Sequence, residues 1–253
     1  MAKVKATTKT KPKTTAVKKA EVKAERLTVP SPEKLLEAGV HFGHLRRRWH
    51  PRMAPYIFTE QEGVHVFDLY KTQEALKEAT QFIKKTVSDG GSVIFVGTKR
   101  QAAEVVEREA KRVGAYFITG RWLGGLLTNF DSVKGNIKKL EDLSQKMKAG
   151  ELDHYTKKEQ LLIAREVEKL EREIGGLRGL TALPKAVVLA SAKGEEIAAH
   201  EAKLLGIPVV AITDTNADPQ LVDYIIPGND DSATSIELLM ATLADAFAAG
   251  RKK

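Results

Sequence analysis

Cysteine is absent from this 253-residue chain. That single absence excludes disulfides, thiolate zinc sites, iron–sulfur clusters and cysteine nucleophiles. Aromatic residues make up only 6%, so those lying inside a charged segment stand out. No apolar run approaches the roughly 20 residues a membrane span needs. No secretory hydrophobic region stands near the start. Neither GxGxxG nor GxxxxGK[ST] occurs, which removes the two glycine-rich phosphate fingerprints. No serine–histidine–acid arrangement is evident, because Ser191 and Ser235 lack a nucleophile-elbow context. No catalytic residue and no cofactor is therefore expected.

What is present is positive charge, unevenly placed. The formal net charge is +8. Residues 1–26 hold nine Lys/Arg and two Glu, a charge of +7, so the rest of the chain carries +1. Residues 1–29 have no aromatic residue and no apolar periodicity, and they read as a disordered basic tail. Transit peptides favour Arg and Ser, whereas here Lys and Thr dominate with Glu21 and Glu25 among them. A flexible arm drawn to a polyanion is the better reading.

Within the near-neutral remainder the basic residues matter where they cluster. Seven basic-capable side chains fall between positions 41 and 52: His41, His44, Arg46, Arg47, Arg48, His50 and Arg52. Phe42, Trp49 and Tyr56 are interleaved with them or close by. Three consecutive arginines repel one another and do not suit a core. Mixed with aromatics, they suit a surface that meets phosphates and stacks on bases or sugars. A solvated basic loop is the plainer alternative. His41 and His44 have the H-x-x-H spacing of a metal site, but the neighbouring arginines would repel a divalent cation and no metal is expected.

From Val64 onward the pattern alternates strand and helix. Residues 65–69, 92–97, 115–119, 186–190, 208–212 and 223–227 read as strands, and 71–88, 99–113, 194–205 and 232–249 as helices. A short helix is expected from Ser31, with Pro32 at its first position. The alternation implies a doubly wound, mostly parallel sheet of about five strands covered by helices on both faces. It is interrupted at residues 131–174. There Val133, Ile137, Leu140 and Met147, then Ile163, Val167, Leu170 and Ile174, follow coiled-coil spacing. Thr156 and Glu159 form a capping box for the second arm. The expected organisation is an α/β unit from 30–130 and 175–250, an inserted antiparallel helical hairpin at 131–174, and a basic end at 251–253. Each arm would be about 27 Å long at 1.5 Å per residue.

Three further runs carry candidate contacts. Lys99 and Arg100 sit at a helix N-terminus after Gly97, where backbone N–H groups favour a phosphate. Arg121 and Trp122 offer a cation and a stacking face, Gly124 and Gly125 permit unusual backbone angles, and Asn129 can read a base edge or cap the next helix. Asp214, Asp218, Asp223, Asp230 and Asp231 lie near strand ends, where turns and caps explain them better than acid–base work.

These runs together resemble the bacterial small-subunit ribosomal protein S-two family. The resemblance rests on LLEAGVHFGHLRRRWHPRMAPYIF (35–58), FVGTKRQA (95–102), RWLGGLLTNF (121–130) and GIPVVAITDTNADPQLVDYIIPGNDD (206–231). It spans about residues 31–249. It implies a nucleotide-fold-like α/β unit that binds no free nucleotide, with an inserted coiled-coil hairpin. It also implies a cytoplasmic, ribosome-bound life between head and body of the small subunit, on 16S rRNA, with a role in docking the messenger-binding protein S-one. No membrane partner is implied. The RNA-contacting set it points to is His41, His44, Arg46, Arg47, Arg48, Trp49, His50, Arg52, Lys99, Arg100, Arg121, Trp122 and Asn129. Gly43, Gly97, Gly124 and Gly125 would shape the loops. His50 and Leu126 depart from the usual family residues. Ser191, Lys193 and Gly194 stand where the family commonly shows an Asp- and His-bearing run, so any metal site that run would support is not expected in this chain.

Overall fold

The computed structural model describes residues 28–152 and 154–251. The expected tail lies outside them except for Thr28 and Val29. Val29 packs against the core, and the Pro30 carbonyl accepts a hydrogen bond from Gln73 Nε2 at 2.9 Å.

Five parallel strands form the central sheet: β4 (Val93–Val96), β5 (Tyr116–Ile118), β6 (Ala186–Leu189), β7 (Val209–Thr213) and β8 (Tyr224–Pro227), in the order β5-β4-β6-β7-β8. Strands β4, β6 and β7 are buried along their whole length. Their side chains alternate between two cores. Val93, Phe95, Val188, Val210 and Ile212 face one, while Ile94, Val96, Val187, Leu189 and Val209 face the other. Burial on both faces explains why these strands read as continuous apolar runs. Each fully buried aliphatic side chain contributes about 1.5–3 kcal/mol.

Helices α2 (Leu69–Ser88), α3 (Arg100–Val113) and α7 (Ala233–Gly250) cover the first face. Helix α2 buries Leu76, Ala79, Ile83 and Val87, a spacing that lines one helical stripe. Helix α3 stops at Gly114, which holds the left-handed conformation at φ 69°. Arg251, at the start of the expected basic end, closes that terminus by donating to the Val113 carbonyl at 2.8 Å. Helix α7 is long and apolar enough to cross a membrane, yet its Ile236, Leu239, Met240, Leu243 and Phe247 are buried in the core.

The other face carries α6 (Glu196–Leu204), the loop after β5, and the inner halves of α4 (Phe130–Ala149) and α5 (Lys157–Ile174). Val133, Ile137, Leu140 and Ile174 are buried there, whereas Met147, Leu161 and Leu162 toward the far end are exposed. Lys139 pairs with Glu166, positions equally far from the turn, so the two helices run antiparallel. The capping box forms: Thr156 Oγ1 accepts from Glu159 N, and Glu159 Oε2 accepts from Thr156 N at 2.9 Å. Short α1 (Pro32–Glu37) follows Ser31, whose side chain makes no capping hydrogen bond.

One feature was not expected. A second, antiparallel sheet of three strands, β1 (Phe42–Leu45), β2 (Ile57–Gln61) and β3 (Val64–Phe67), stands in the order β1-β3-β2. The segment at 65–69, read as the first strand of the alternating pattern, belongs to this small sheet. Between β1 and β2 the chain makes two short 3-10 turns, Arg46–Arg48 and Pro51–Tyr56. The basic segment is therefore a braced excursion between two strands.

Candidate nucleic-acid interface

The arginine turn projects from the corner of the small sheet. Arg46 N donates to the Gly63 carbonyl at 2.9 Å, which pins the turn to the β2–β3 connection. Arg46 also pairs with Glu60 at 3.4 Å while remaining largely exposed. Arg47 and Arg48 are exposed, and neither guanidinium has a hydrogen-bond or ion-pair partner among the described residues. Trp49 is half-buried against the His65 ring, with centroids 5.1 Å apart. The His50 backbone N–H donates to the Thr215 carbonyl at 2.6 Å, and its Nδ1 accepts from Arg52 N. Arg52 reaches Asp218 at 3.2 Å, and the Asp218 carboxylate in turn caps the 219–221 turn.

His44 has a different task from the one its motif suggested. Its Nδ1 lies 3.0 Å from Asp214 Oδ1 and its Nε2 lies 3.3 Å from Asp231 Oδ2. Both nitrogens can donate only in the imidazolium form. The Asp214 hydrogen bond accordingly raises the His44 pKa above the ordinary 6.5, against the opposing pull of burial. Gly43 permits this approach: a Cβ there would meet Thr215 Cγ2 at 2.6 Å. His44 is thus committed to carboxylates and is not free to meet a phosphate.

Lys99 is committed in the same way. Its Nζ lies 2.8 Å from both Asp230 Oδ1 and Asp231 Oδ1. Burial pushes its pKa down, but the two aspartates more than offset this and leave it raised. Ser191 donates its hydroxyl to Asp230 Oδ2 at 2.5 Å. Among the described residues no group of three or more His, Cys, Asp or Glu is arranged to hold a metal. The Lys99 ammonium already occupies the Asp230 and Asp231 carboxylates, which does not fit a cation site there.

The crevice where a nucleotide would bind lies where the strand order reverses, between β4 and β6. Glu195 fills it. Its Oε1 accepts from Thr98 N at 2.9 Å and Thr98 Oγ1 at 2.8 Å, and its Oε2 accepts from Ser191 N at 2.7 Å. The amides that would cradle a phosphate hold the protein's own carboxylate, whose pKa burial pushes up. Gly97 lets α3 close on β4 here, since a Cβ would meet Val106 Cγ2 at 2.6 Å. Arg100 opens α3 and is exposed.

Trp122 is a core residue, 6% exposed, and not a stacking platform. Its Nε1 donates to Glu201 Oε1 at 3.1 Å. Glu201 is the residue that sequence reasoning missed. Its carboxylate also accepts from Gly125 N at 2.8 Å, Leu127 N at 2.9 Å, and Thr128 N and Oγ1. Burial would raise its pKa, but these donors hold it below the usual glutamate value. Gly125 holds φ 89°, which folds the loop around the carboxylate, while Gly124 faces open space and meets no such demand. Arg121 and Asn129 are exposed beside this loop. Asn129 precedes α4 without capping it, and its Oδ1 accepts from Ser132 Oγ instead.

His41 lies apart from the arginines, and burial lowers its pKa. It lines an apolar groove of about 350 Å³ with Leu36, Phe58, Val66, Leu69 and Tyr70. Phe58 and Tyr70 are 75% and 76% exposed.

Of the cations in the expected RNA-contacting set, Arg47, Arg48, Arg100 and Arg121 are exposed and have no side-chain partner among the described residues, and Arg47 and Arg48 stand side by side. The family model described as "Ribosomal protein S2" matches residues 35–250. The chain belongs to the ribosomal protein S2 family. It is 48% identical over 226 residues to "Small ribosomal subunit protein uS2" of Petrotoga mobilis, covering 89% of this chain and 78% of that relative. The family is that of a structural ribosomal protein, and the committed carboxylates and filled crevice accord with binding rather than catalysis.

Glu201→Ala strands five backbone or side-chain donors, and we expect a loss of about 3 kcal/mol or more, read as a lowered urea midpoint. An unchanged midpoint contradicts the cradle. The raised His44 pKa means that its stabilisation is complete below pH 6.5 and fades as pH rises through the higher folded value. Wild type is expected to lose more stability than His44→Ala between pH 6.5 and 8.5 in denaturant titrations. Parallel losses in both proteins rule out the linkage.

Proposed function

We propose that this ribosomal protein of the small subunit binds 16S rRNA between head and body, and that it also helps dock protein S-one. The reading is carried by one observation: Arg47 and Arg48 stand exposed and unpaired among the described residues on a turn anchored by backbone hydrogen bonds. Nearby carboxylates are spent on His44, Lys99 and Arg52, which leaves these guanidiniums for an external anion. Arginine forks match phosphate oxygens, and such contacts set position and register rather than sequence. The charge of +7 in residues 1–26 supports added, salt-sensitive affinity. The Petrotoga relative's name supports a place in the small subunit and so in the cytoplasm.

The S-one role is supported by a different surface. The groove around Phe58 and Tyr70 exposes aromatic and aliphatic side chains together. Such a patch gains more from a protein partner than from a phosphate backbone.

Replacing Arg47 and Arg48 with Glu is expected to lower incorporation into small subunits. It should also reduce the slope of log affinity against log salt by about 1 to 2 for 16S fragments. Wild-type incorporation together with an unchanged slope eliminates the arginine turn as the contact. Phe58→Ala combined with Tyr70→Ala should release S-one from purified subunits while this chain stays bound. Full retention of S-one argues against the groove.

A further inference from the structure

A cleft of about 650 Å³ opens beside the arginine turn, walled by Leu45, Arg46, Arg47, Trp49, Glu60 and Gly63. Its construction is specific. The β2–β3 connection turns through Glu62 at φ 53° and Gly63 at φ 78°. A Cβ on Gly63 would meet nothing within 4 Å, so this wall is backbone facing open space. Trp49 forms another wall, supported by the buried His65 ring. The cleft is mostly apolar, yet two guanidiniums and one carboxylate stand at its rim.

That combination matches one kind of ligand. A nucleobase brings a flat π-face, an edge of hydrogen-bond groups, and phosphates on either side. Trp49 offers the stacking surface, and Arg47, with Arg48 beside it, offers charge to flanking phosphates. Glu60 is tied to Arg46 through Oε2, while its Oε1 has no partner among the described residues. A carboxylate accepts hydrogen bonds and donates none when ionised. It therefore favours guanine, whose N1–H and N2–H₂ lie side by side. It disfavours uracil, whose single N3–H is flanked by two carbonyls. A base inside a duplex has both faces stacked and its edge paired, so the cleft can take only an unpaired one.

We propose that this cleft is a subsite for one unpaired RNA base, guanine preferred, stacked on Trp49 and read by Glu60. The inference rests on the reading that the arginine turn faces rRNA, and it names what that turn selects.

The test uses the full chain and three RNA hairpins that share a stem, with a central loop guanine, a central loop uracil, or no loop beyond a tight cap. The guanine loop should bind tightest and quench Trp49 fluorescence, with Trp122 buried and unaffected. Trp49→Ala should weaken guanine-loop binding about ten- to a hundred-fold while leaving stem-only binding and its salt dependence unchanged. Glu60→Ala, on the exposed strand β2, should erase the guanine-over-uracil preference without reducing stem affinity. If both variants bind all three hairpins as wild type does, the subsite is refuted while the arginine reading stands. If wild type binds none of them at low salt, the arginine reading falls and the subsite with it.

Discussion

A carboxylate removed from water must be matched by cations or N–H donors, and several gather where the parallel strands of this protein end. Asp214, Asp230 and Glu195 are buried, and Asp231 stands beside them. Their partners come from separate parts of the chain. Lys99 arrives from the start of α3, Ser191 from the end of β6, and His44 from the small antiparallel sheet. Satisfying these charges ties the two sheets together. It also holds fixed the base from which the arginine turn projects.

The same requirement divides the basic residues into two groups. His44, Lys99 and Arg52 answer carboxylates of the protein itself, and Arg251 answers the carbonyls at the end of α3. Arg47 and Arg48 have no such internal partner among the described residues. Fewer cations of the basic segment are thus left without an internal partner than the composition suggests. The backbone of the arginine turn is held by the Arg46–Gly63 and His50–Thr215 hydrogen bonds, so less backbone freedom remains to be lost there. A cleft with an aromatic wall lies beside Arg47.

Much of the fold was legible because its signals are local. The double-sided strands appear as apolar runs, α3 ends at a glycine that must be left-handed, and the capping box at Thr156 and Glu159 lies within four residues. The small sheet was not legible for an equally physical reason. Strands β1 and β2 are largely exposed and show no buried alternation, and Pro51 and Pro55 stand between them. Only β3 alternates, so it alone read as a strand, and its partners could not be inferred from it.

The candidate interface divides along the same line. Sequence alone determined that a cluster of cations and aromatics exists, that no thiol chemistry is available, and that the glycine fingerprints of nucleotide binding are missing. These are properties of composition and short spacing. Tertiary structure alone decided which cations are free. Trp122 and Glu201 are separated by 79 positions, and His44 and Thr215 by 171. A side chain's solvation and its partner depend on what the fold brings within about 3 Å, and that distance is not encoded in the separation of two residues along the chain.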